Sequence, residues 1–450
     1  MIGAAQFAFD INGRDITPMV WLVIQVVVLG AGYLALRSAL PRIRQATRRP
    51  TKAPLDTTAP AKPQGRLRRV FSGRALLLIA AIIAPLIPLI TGTLPIIGGS
   101  AFVTISFDVA LYAMLAVGLN IVVGYTGLLD LGFIAFYAVG AYTYALFASP
   151  QLYPITHQTI YFLMPHVAGG TGYHVSMLVL LPLAGALAAG FGILIGYPTL
   201  RLRGDYLAIV TLGFGEITRI FALNLYQPAN ITNGSQGIVE IDPIIAFGYN
   251  FGRMHPIGDL QNLAGDQLGI PPYLNYYYLL LVLVIVTIFF VSRLASSRVG
   301  RAWAAIREDE LAAEAAGINT RNLKLLAYAS GGFFGGMAGA VFSASQHFID
   351  PDSFLFSFSI LVLVMVVLGG MGNVYGVILG AVVVGYLYFY TGQLGSFRIL
   401  AFGAILVVMS VFRPQGLLPS RQRQRELLVD EGGPGDMPTS GESVADVRSV

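Results

Sequence analysis

The sequence contains no cysteine. Disulfide frameworks and thiolate metal sites are therefore excluded, and cysteine usage says nothing about compartment. Charge is also scarce. Asp, Glu, Lys and Arg make up 11% of the 450 residues, where soluble domains carry roughly 25%. With a mean hydropathy of +0.70, the chain has too little polar surface to cover a water-soluble globule. It has no Gly-x-x-x-x-Gly-Lys-Ser/Thr phosphate-binding loop, so any uphill work draws on a separate ATPase or an ion gradient. No Ser/His/Asp or metal-ligand constellation is visible either. The histidines, His157, His166, His174, His255 and His347, fall between apolar stretches and are expected to be solvated loop residues. An enzyme reading therefore has no support, and no catalytic residue, metal or cofactor is expected in this chain.

What the chain does have is apolar blocks of about twenty residues, the length a helix needs to cross roughly 30 Å of hydrocarbon. Eleven candidate spans lie near 19–36, 75–91, 101–124, 130–148, 175–197, 206–225, 274–292, 326–345, 355–371, 375–391 and 397–412. The expected fold is all-α, a polytopic transmembrane helical bundle without sheet and with interrupted helices. The pI near 9.3 does not indicate a nucleic-acid partner, because the positive charge is concentrated in segments between spans. Arg37, Arg42, Arg44, Arg48, Arg49, Lys52, Lys62, Arg66, Arg68, Arg69 and Arg74 face a single acid, Asp56. That bias marks a cytoplasmic segment. Alternation then puts 198–205, 293–325 and the tail inside, and 149–174 and 227–273 outside, with the N-terminus out and the C-terminus in. No small-residue cleavage site follows the first apolar stretch, which is read as a retained span. Residues 1–74 form an extra N-terminal span and basic linker, 75–419 the transmembrane domain, and 420–450 a disordered cytoplasmic tail.

Ionisable groups inside spans are costly and draw functional suspicion. Glu216 lies about 16 Å beyond Asp205 at the helical rise, with Arg219 at ion-pair spacing three residues on. Two readings stay open: a self-neutralised pair packed among helices, or a pair on the translocation path. Asp108, near the outer end of its span, and Asn120, near mid-span, are further path candidates. Asp130 is read as an exposed loop acid. Gly331, Gly335 and Gly339, flanked by Gly332 and Gly336, form ladders suited to close helix packing. Gly369-Gly-Met-Gly372 marks a sharp turn between two spans.

The inside segment 293–325 carries Arg307-Glu308-Asp309-Glu310 and Glu314-Ala315-Ala316-Gly317, with the glycine placed as a helix stop. This pattern resembles the "EAA" coupling loop of ABC importer permeases. The surrounding stretches narrow the resemblance to LivM-type permease subunits of branched-chain amino acid ABC transporters. They are Gly118-Leu-Asn-Ile-Val-Val-Gly-Tyr-Thr-Gly127, Arg201-Leu-Arg-Gly-Asp-Tyr-Leu-Ala-Ile-Val-Thr-Leu-Gly-Phe-Gly-Glu-Ile-Thr-Arg219, Gly300-Arg-Ala-Trp-Ala-Ala-Ile-Arg-Glu-Asp-Glu310, Val367-Leu-Gly-Gly-Met-Gly372 and Arg413-Pro-Gln-Gly-Leu-Leu-Pro419. The resemblance covers about 75–420.

It implies a multi-pass subunit of a bacterial inner membrane, surrounded by lipid. Its partners would be a second permease subunit, two cytoplasmic ATPase subunits that bind ATP and magnesium, and an external solute-binding protein. It assigns ATPase coupling to Glu308, Asp309, Glu310, Glu314, Ala315, Ala316 and Gly317. The implied cargo is leucine, isoleucine and valine, with urea, short amides or other amino acids as the alternative within the family. A self-sufficient secondary carrier, the reading from another class, has no need of such a loop.

Overall fold

The computed structural model describes residues 99–390, except 163–170, 201, 203, 247–248, 253–254, 262–266 and 271, together with 400, 403–404, 407 and 416–418. The spans expected at 19–36 and 75–91, the basic linker, the tail and most of 397–412 lie outside the described residues. Helix α1, Gly99–Asn120, runs on into a π-helical turn, Ile121–Tyr125. It is followed by α2, Ile134–Phe147, a short α3, Tyr153–Thr156, then α4, Met177–Thr199, and α5, Asp205–Asn224. Next come α6, Pro272–Ala295, α7, Arg298–Glu308, α8, Glu310–Ala315, and α9, Thr320–Gln346. Helices α10, Phe356–Gly369, and α11, Val374–Tyr390, complete the described set.

Among the described residues, six helices are long and apolar enough to cross a membrane, while α2 and α11 are shorter. Helix α2 has 14 residues and rises only about 21 Å. It falls short of the span expected at 130–148 because 130–133 is not helical and the helix starts only at Ile134. The side chains that cap α4 and α7 are short and polar. Ser176 Oγ accepts from the Leu178 N–H ahead of α4, and Ser297 Oγ accepts from the Val299 and Gly300 N–H groups ahead of α7. Each occupies one or more of the donors a helix N-terminus leaves unpaired.

Helix α9 is the centre of the bundle, and it packs most extensively on α4 and α2. Lipid is as apolar as leucine, so helices in a membrane associate through close packing rather than hydrophobic exclusion. The glycine ladders provide that closeness on two faces. On one face, a Cβ at Gly331 would sit 3.1 Å from the Gly118 carbonyl oxygen of α1, and one at Gly339 would collide with the Tyr137 carbonyl of α2. On the other face, a Cβ at Gly332 would sit 2.9 Å from the Ala188 carbonyl of α4. Gly192 of α4 answers by lying against the Tyr328 carbonyl of α9, where a Cβ would be at 2.9 Å.

The connections gather at two ends. At one end the Asp242 N–H donates to the Ala148 carbonyl at 2.7 Å, and Ile238 bridges Ile349. Here the chain departs from a pure helical bundle. Strands β1, Ala148–Ser149, β2, Ile160–Phe162, and β3, Tyr173–Val175, form a small sheet with β3 in the middle. Two hairpins follow, β4, Ile245–Ala246, with β5, Tyr249–Asn250, and β6, His255–Gln261, with β7, Gln267–Ile270. The central position of β3 also corrects the reading of His174. His157 is exposed, as expected. His174 is 5% exposed, is stacked on Tyr161 and has Nδ1 2.5 Å from Asp242 Oδ2. Burial raises the Asp242 carboxyl above its usual range, partly offset by that contact. His347 is half-buried against the Ile241 carbonyl. His166 and the side chain of His255 lie outside the described residues.

Close approach of α2 and α9 gives a direct test. A Cβ on Gly140 would overlap the Gly336 carbonyl, whereas one on Gly190 meets nothing within 4 Å. Gly140→Ala is expected to cost about 1–3 kcal/mol through overpacking, and Gly190→Ala to be neutral or mildly stabilising. Thermal unfolding midpoints of the purified chain in detergent compare the two.

Candidate functional site

At the opposite end lie the breaks in the helices, and the segment 296–320 packs against them. Three connections locate this end. The Leu131 N–H donates to Thr211 Oγ1 at 3.1 Å, an Arg307 Nη1–H donates to the Gly124 carbonyl at 2.7 Å, and the Leu417 N–H donates to the Leu368 carbonyl at 2.7 Å.

Helix α7 is bound to the bundle through Trp303, which is fully buried and donates its Nε1–H to the Leu323 carbonyl at 2.8 Å. Asp309 ends α7 and begins α8. Its Oδ1 accepts from the Leu311 and Ala312 N–H groups at 2.8 and 3.0 Å. After Ala315 the chain turns at Gly317, whose φ of +83° a side chain would strain. The helix stop expected there is present.

Several acids of this segment have partners inside the chain. Glu310 Oε1 pairs with Lys324 Nζ, a lysine only 4% exposed. Glu314 Oε1 accepts from Thr320 Oγ1 at 2.6 Å, and Asp309 is a helix cap. Glu308, Asp309, Leu311, Ala312, Glu314, Ala315, Ala316 and Gly317 are all exposed. Leu311 was missed in the sequence, where it reads as one more apolar residue. It stands 59% exposed on a polar connector, beside alanines and a glycine that leave the backbone approachable. Ala313 alone of this helix turns inward. The result is a small knob with an apolar centre and acidic margins.

The path candidates fall at different places. Asn120, expected near mid-span, is instead the last residue of α1, fully buried at the junction with its π-turn. Its Oδ1 accepts from the Gly372 N–H at 2.9 Å, and its Nδ2 has no partner among the described residues. Glu216 and Arg219 do lie together, Oε2 to Nη1 3.8 Å. The shorter contact of Arg219 is with Asp352 Oδ1, 2.7 Å from Nη2, a partner on another element that spacing along α5 cannot reveal. Asp108 is half-buried and lines a cavity of about 100 Å³ with Tyr112, Tyr137, Phe342, Ser353 and Phe358. Asp130, expected to be exposed, is 2% exposed. Its Oδ1 accepts from the Gly132 N–H at 2.8 Å, and Gly132 itself abuts the Thr211 backbone of α5. Among the described residues no group of His, Asp and Glu could hold a metal ion.

All five sequence stretches that carry the family resemblance contribute to this end, through Gly124, Thr211, Arg307, Gly370 and Gly416 with their neighbours. Residues 101–410 match the family described as branched-chain amino acid transport system, permease component. The chain belongs to that family. It is 40% identical over 321 residues to the high-affinity branched-chain amino acid transport system permease protein LivM of Escherichia coli (strain K12), covering 70% of each chain. It is 39% identical over 330 residues to the Salmonella typhimurium protein of the same name, covering 72% of each. A probable branched-chain amino acid transport permease protein LivM of Methanocaldococcus jannaschii is 27% identical over 268 residues, 56% of this chain and 70% of the relative. No solved structure matches the chain significantly. The protein is thus a multi-pass membrane permease component of a transport system.

The Glu310–Lys324 pair yields a prediction about this family member. Glu310→Ala leaves a nearly buried ammonium without its partner, and breaking such a pair from one side is expected to cost ~2 kcal/mol, given that Glu310 is partly exposed. Adding Lys324→Met should return most of that loss. A double-mutant cycle on unfolding midpoints measures both.

Proposed function

We propose that this chain is one of two permease subunits of an ATP-driven importer of leucine, isoleucine and valine in a bacterial inner membrane. The observation that carries the reading is the knob at 308–317, exposed and apolar-centred, anchored by Trp303 to the bundle on its other side. A self-sufficient carrier has no use for such a projection. Two ATPase subunits supply the ATP chemistry that the chain lacks, one of them docking on this knob, and a solute-binding protein delivers cargo at the far end. Because basic segments stay inside, 293–325 faces the cytoplasm and 227–273 the exterior. The N-terminus is then outside and the tail 420–450 inside.

The substrate path follows the polar groups within the spans. Asp108, in its aromatic-lined cavity near the external end, has the charge to meet a substrate ammonium. Helix α5 carries Glu216 and Arg219 on a helix whose Ile209, Ile217, Ile220 and Phe221 are exposed. A half-exposed ion pair at membrane depth is expensive against lipid, so α5 is the side on which the second permease subunit closes the path. Asn120 lies at the cytoplasmic end of α1, where the path would leave the subunit.

Leu311→Asp puts a charge at the centre of the knob, and Glu314→Lys reverses the sign at its margin. Both are expected to reduce copurification of ATPase subunits from detergent extracts by tenfold or more, the equivalent of about 1.4 kcal/mol. Wild-type recovery of ATPases with both variants would refute the docking surface. Cargo is tested separately. Vesicles holding the full complex and binding protein should accumulate labelled leucine in an ATP-dependent manner and leave labelled urea outside; the opposite pattern would reassign the substrate.

A further inference from the structure

The ends of two broken spans and the coupling segment meet at a single guanidinium. Helix α1 stops being α-helical at Asn120, continues as one π-helical turn, and leaves helical geometry after Thr126. The carbonyls of a helix's last turn have no partner within the helix. The Val122 carbonyl accepts from Thr126 Oγ1 at 2.5 Å, and the Gly124 carbonyl accepts from Arg307 Nη1 at 2.7 Å. Arg307 belongs to the last turn of α7, directly before the knob at Glu308.

The same spot holds the turn between α10 and α11. Gly370 and Gly372 have φ of +116° and +80°, and the Gly372 N–H donates to Asn120 Oδ1. A Cβ on Gly372 would lie 3.0 Å from Arg307 Nη1 and 3.1 Å from the Gly124 carbonyl. A Cβ on Gly127 would lie 3.0 Å from Arg307 Cγ. The arginine thus threads a slot with glycines on both sides, gripping α1 at Gly124 and lying against the α10–α11 turn at Gly372.

We propose that Arg307 is the positioning residue that transmits movement of the coupling segment to the broken ends of α1 and of the α10–α11 hairpin. The inference rests on the reading of 308–317 as the ATPase dock. Displacement of the knob moves α7, and the Arg307 guanidinium carries the Gly124 carbonyl with it. Asn120, through its bond to Gly372, carries the second break along. The Asn120 amide has its oxygen paired and its Nδ2 buried without a partner among the described residues. This junction is therefore not held by a complete set of bonds, which suits a contact that must rearrange. An apolar interface here would resist separation but would not pull; a directional hydrogen bond to one carbonyl does.

The test uses the assembled transporter in vesicles and reads three quantities: ATPase subunits recovered with the permease, ATP hydrolysed, and leucine moved per ATP. For Arg307→Gln, ATPase recovery and hydrolysis are expected to stay within about twofold of wild type. Leucine moved per ATP should fall roughly tenfold, the scale of one charge-assisted hydrogen bond. Arg307→Lys, whose ammonium falls about one bond short of the Gly124 carbonyl, is expected to give an intermediate ratio. A merely structural role for Arg307 would lower recovery, hydrolysis and transport together and leave the ratio unchanged, and that result overturns the proposal. A wild-type ratio in the glutamine variant overturns it as well. If the glutamine variant does not accumulate in the membrane, the lysine variant decides alone, with a wild-type ratio counting against the proposal. Failure of the wild-type chain to recover any ATPase overturns the docking reading and this inference with it, whereas the other adverse outcomes strike only the role of Arg307.

Discussion

Hydrocarbon offers no water to a backbone group that has lost its helical partner, so each break in a membrane helix must find a donor or acceptor within the protein. Several breaks in this chain are brought to one end of the bundle, where they serve one another. The Gly124 carbonyl takes a guanidinium N–H from α7. The Gly372 N–H goes to Asn120. The Leu368 and Gly369 carbonyls, left over at the end of α10, accept from the N–H groups of Leu417 and Leu418. Asn373 Nδ2 donates to the Leu418 carbonyl in return. Arg307 of α7 and residues 416–418 are held in place because they satisfy these groups.

That arrangement requires very close approach, which explains why glycine recurs at this end as well as along α9. In the ladder of α9 it brings helix backbones together, and those contacts run along most of the helix. At 124, 127, 370, 372 and 416 it makes room for a side chain or a turn, and four of these five have positive φ. The two uses look alike in composition and differ in consequence. The ladder makes a closely packed three-helix centre, while the cluster at 124–127 and 370–372 makes a junction where one amide donor has no partner among the described residues. Close backbone contact thus joins α9 to α2 and α4, while side chains and turns join the broken ends.

Much of this could be read beforehand. Apolar blocks of helical length outline eight of the helices described, and the turn at 369–372 and the stop at Gly317 follow from glycines at the ends of such blocks. Pairing of Glu216 with Arg219 follows from spacing within one helix. What escaped reading involves residues distant in sequence. Arg307 and Gly124 are 183 positions apart, Arg219 and Asp352 are 133 apart, and His174 and Asp242 are 68 apart. Periodicity reports which face of a helix is apolar but not which remote residue faces it. His174 and Asp130 were misjudged for that reason: each lies at the edge of an expected span, where solvent is the ordinary expectation, and each is covered by an element that sequence order does not place nearby.

The sequence by itself determined that the chain is a membrane bundle, roughly where eight of its helices lie, and that it lacks a phosphate-binding loop. Those properties depend on composition and on patterns of a few residues. Only the tertiary structure decided that Asp309, Glu310 and Glu314 bond within the chain, that Leu311 is bare, and that Arg307 reaches into the break of α1. Such contacts depend on how helices cross, and the crossing is set by the glycine faces of α9 acting on partners as distant in sequence as Gly118.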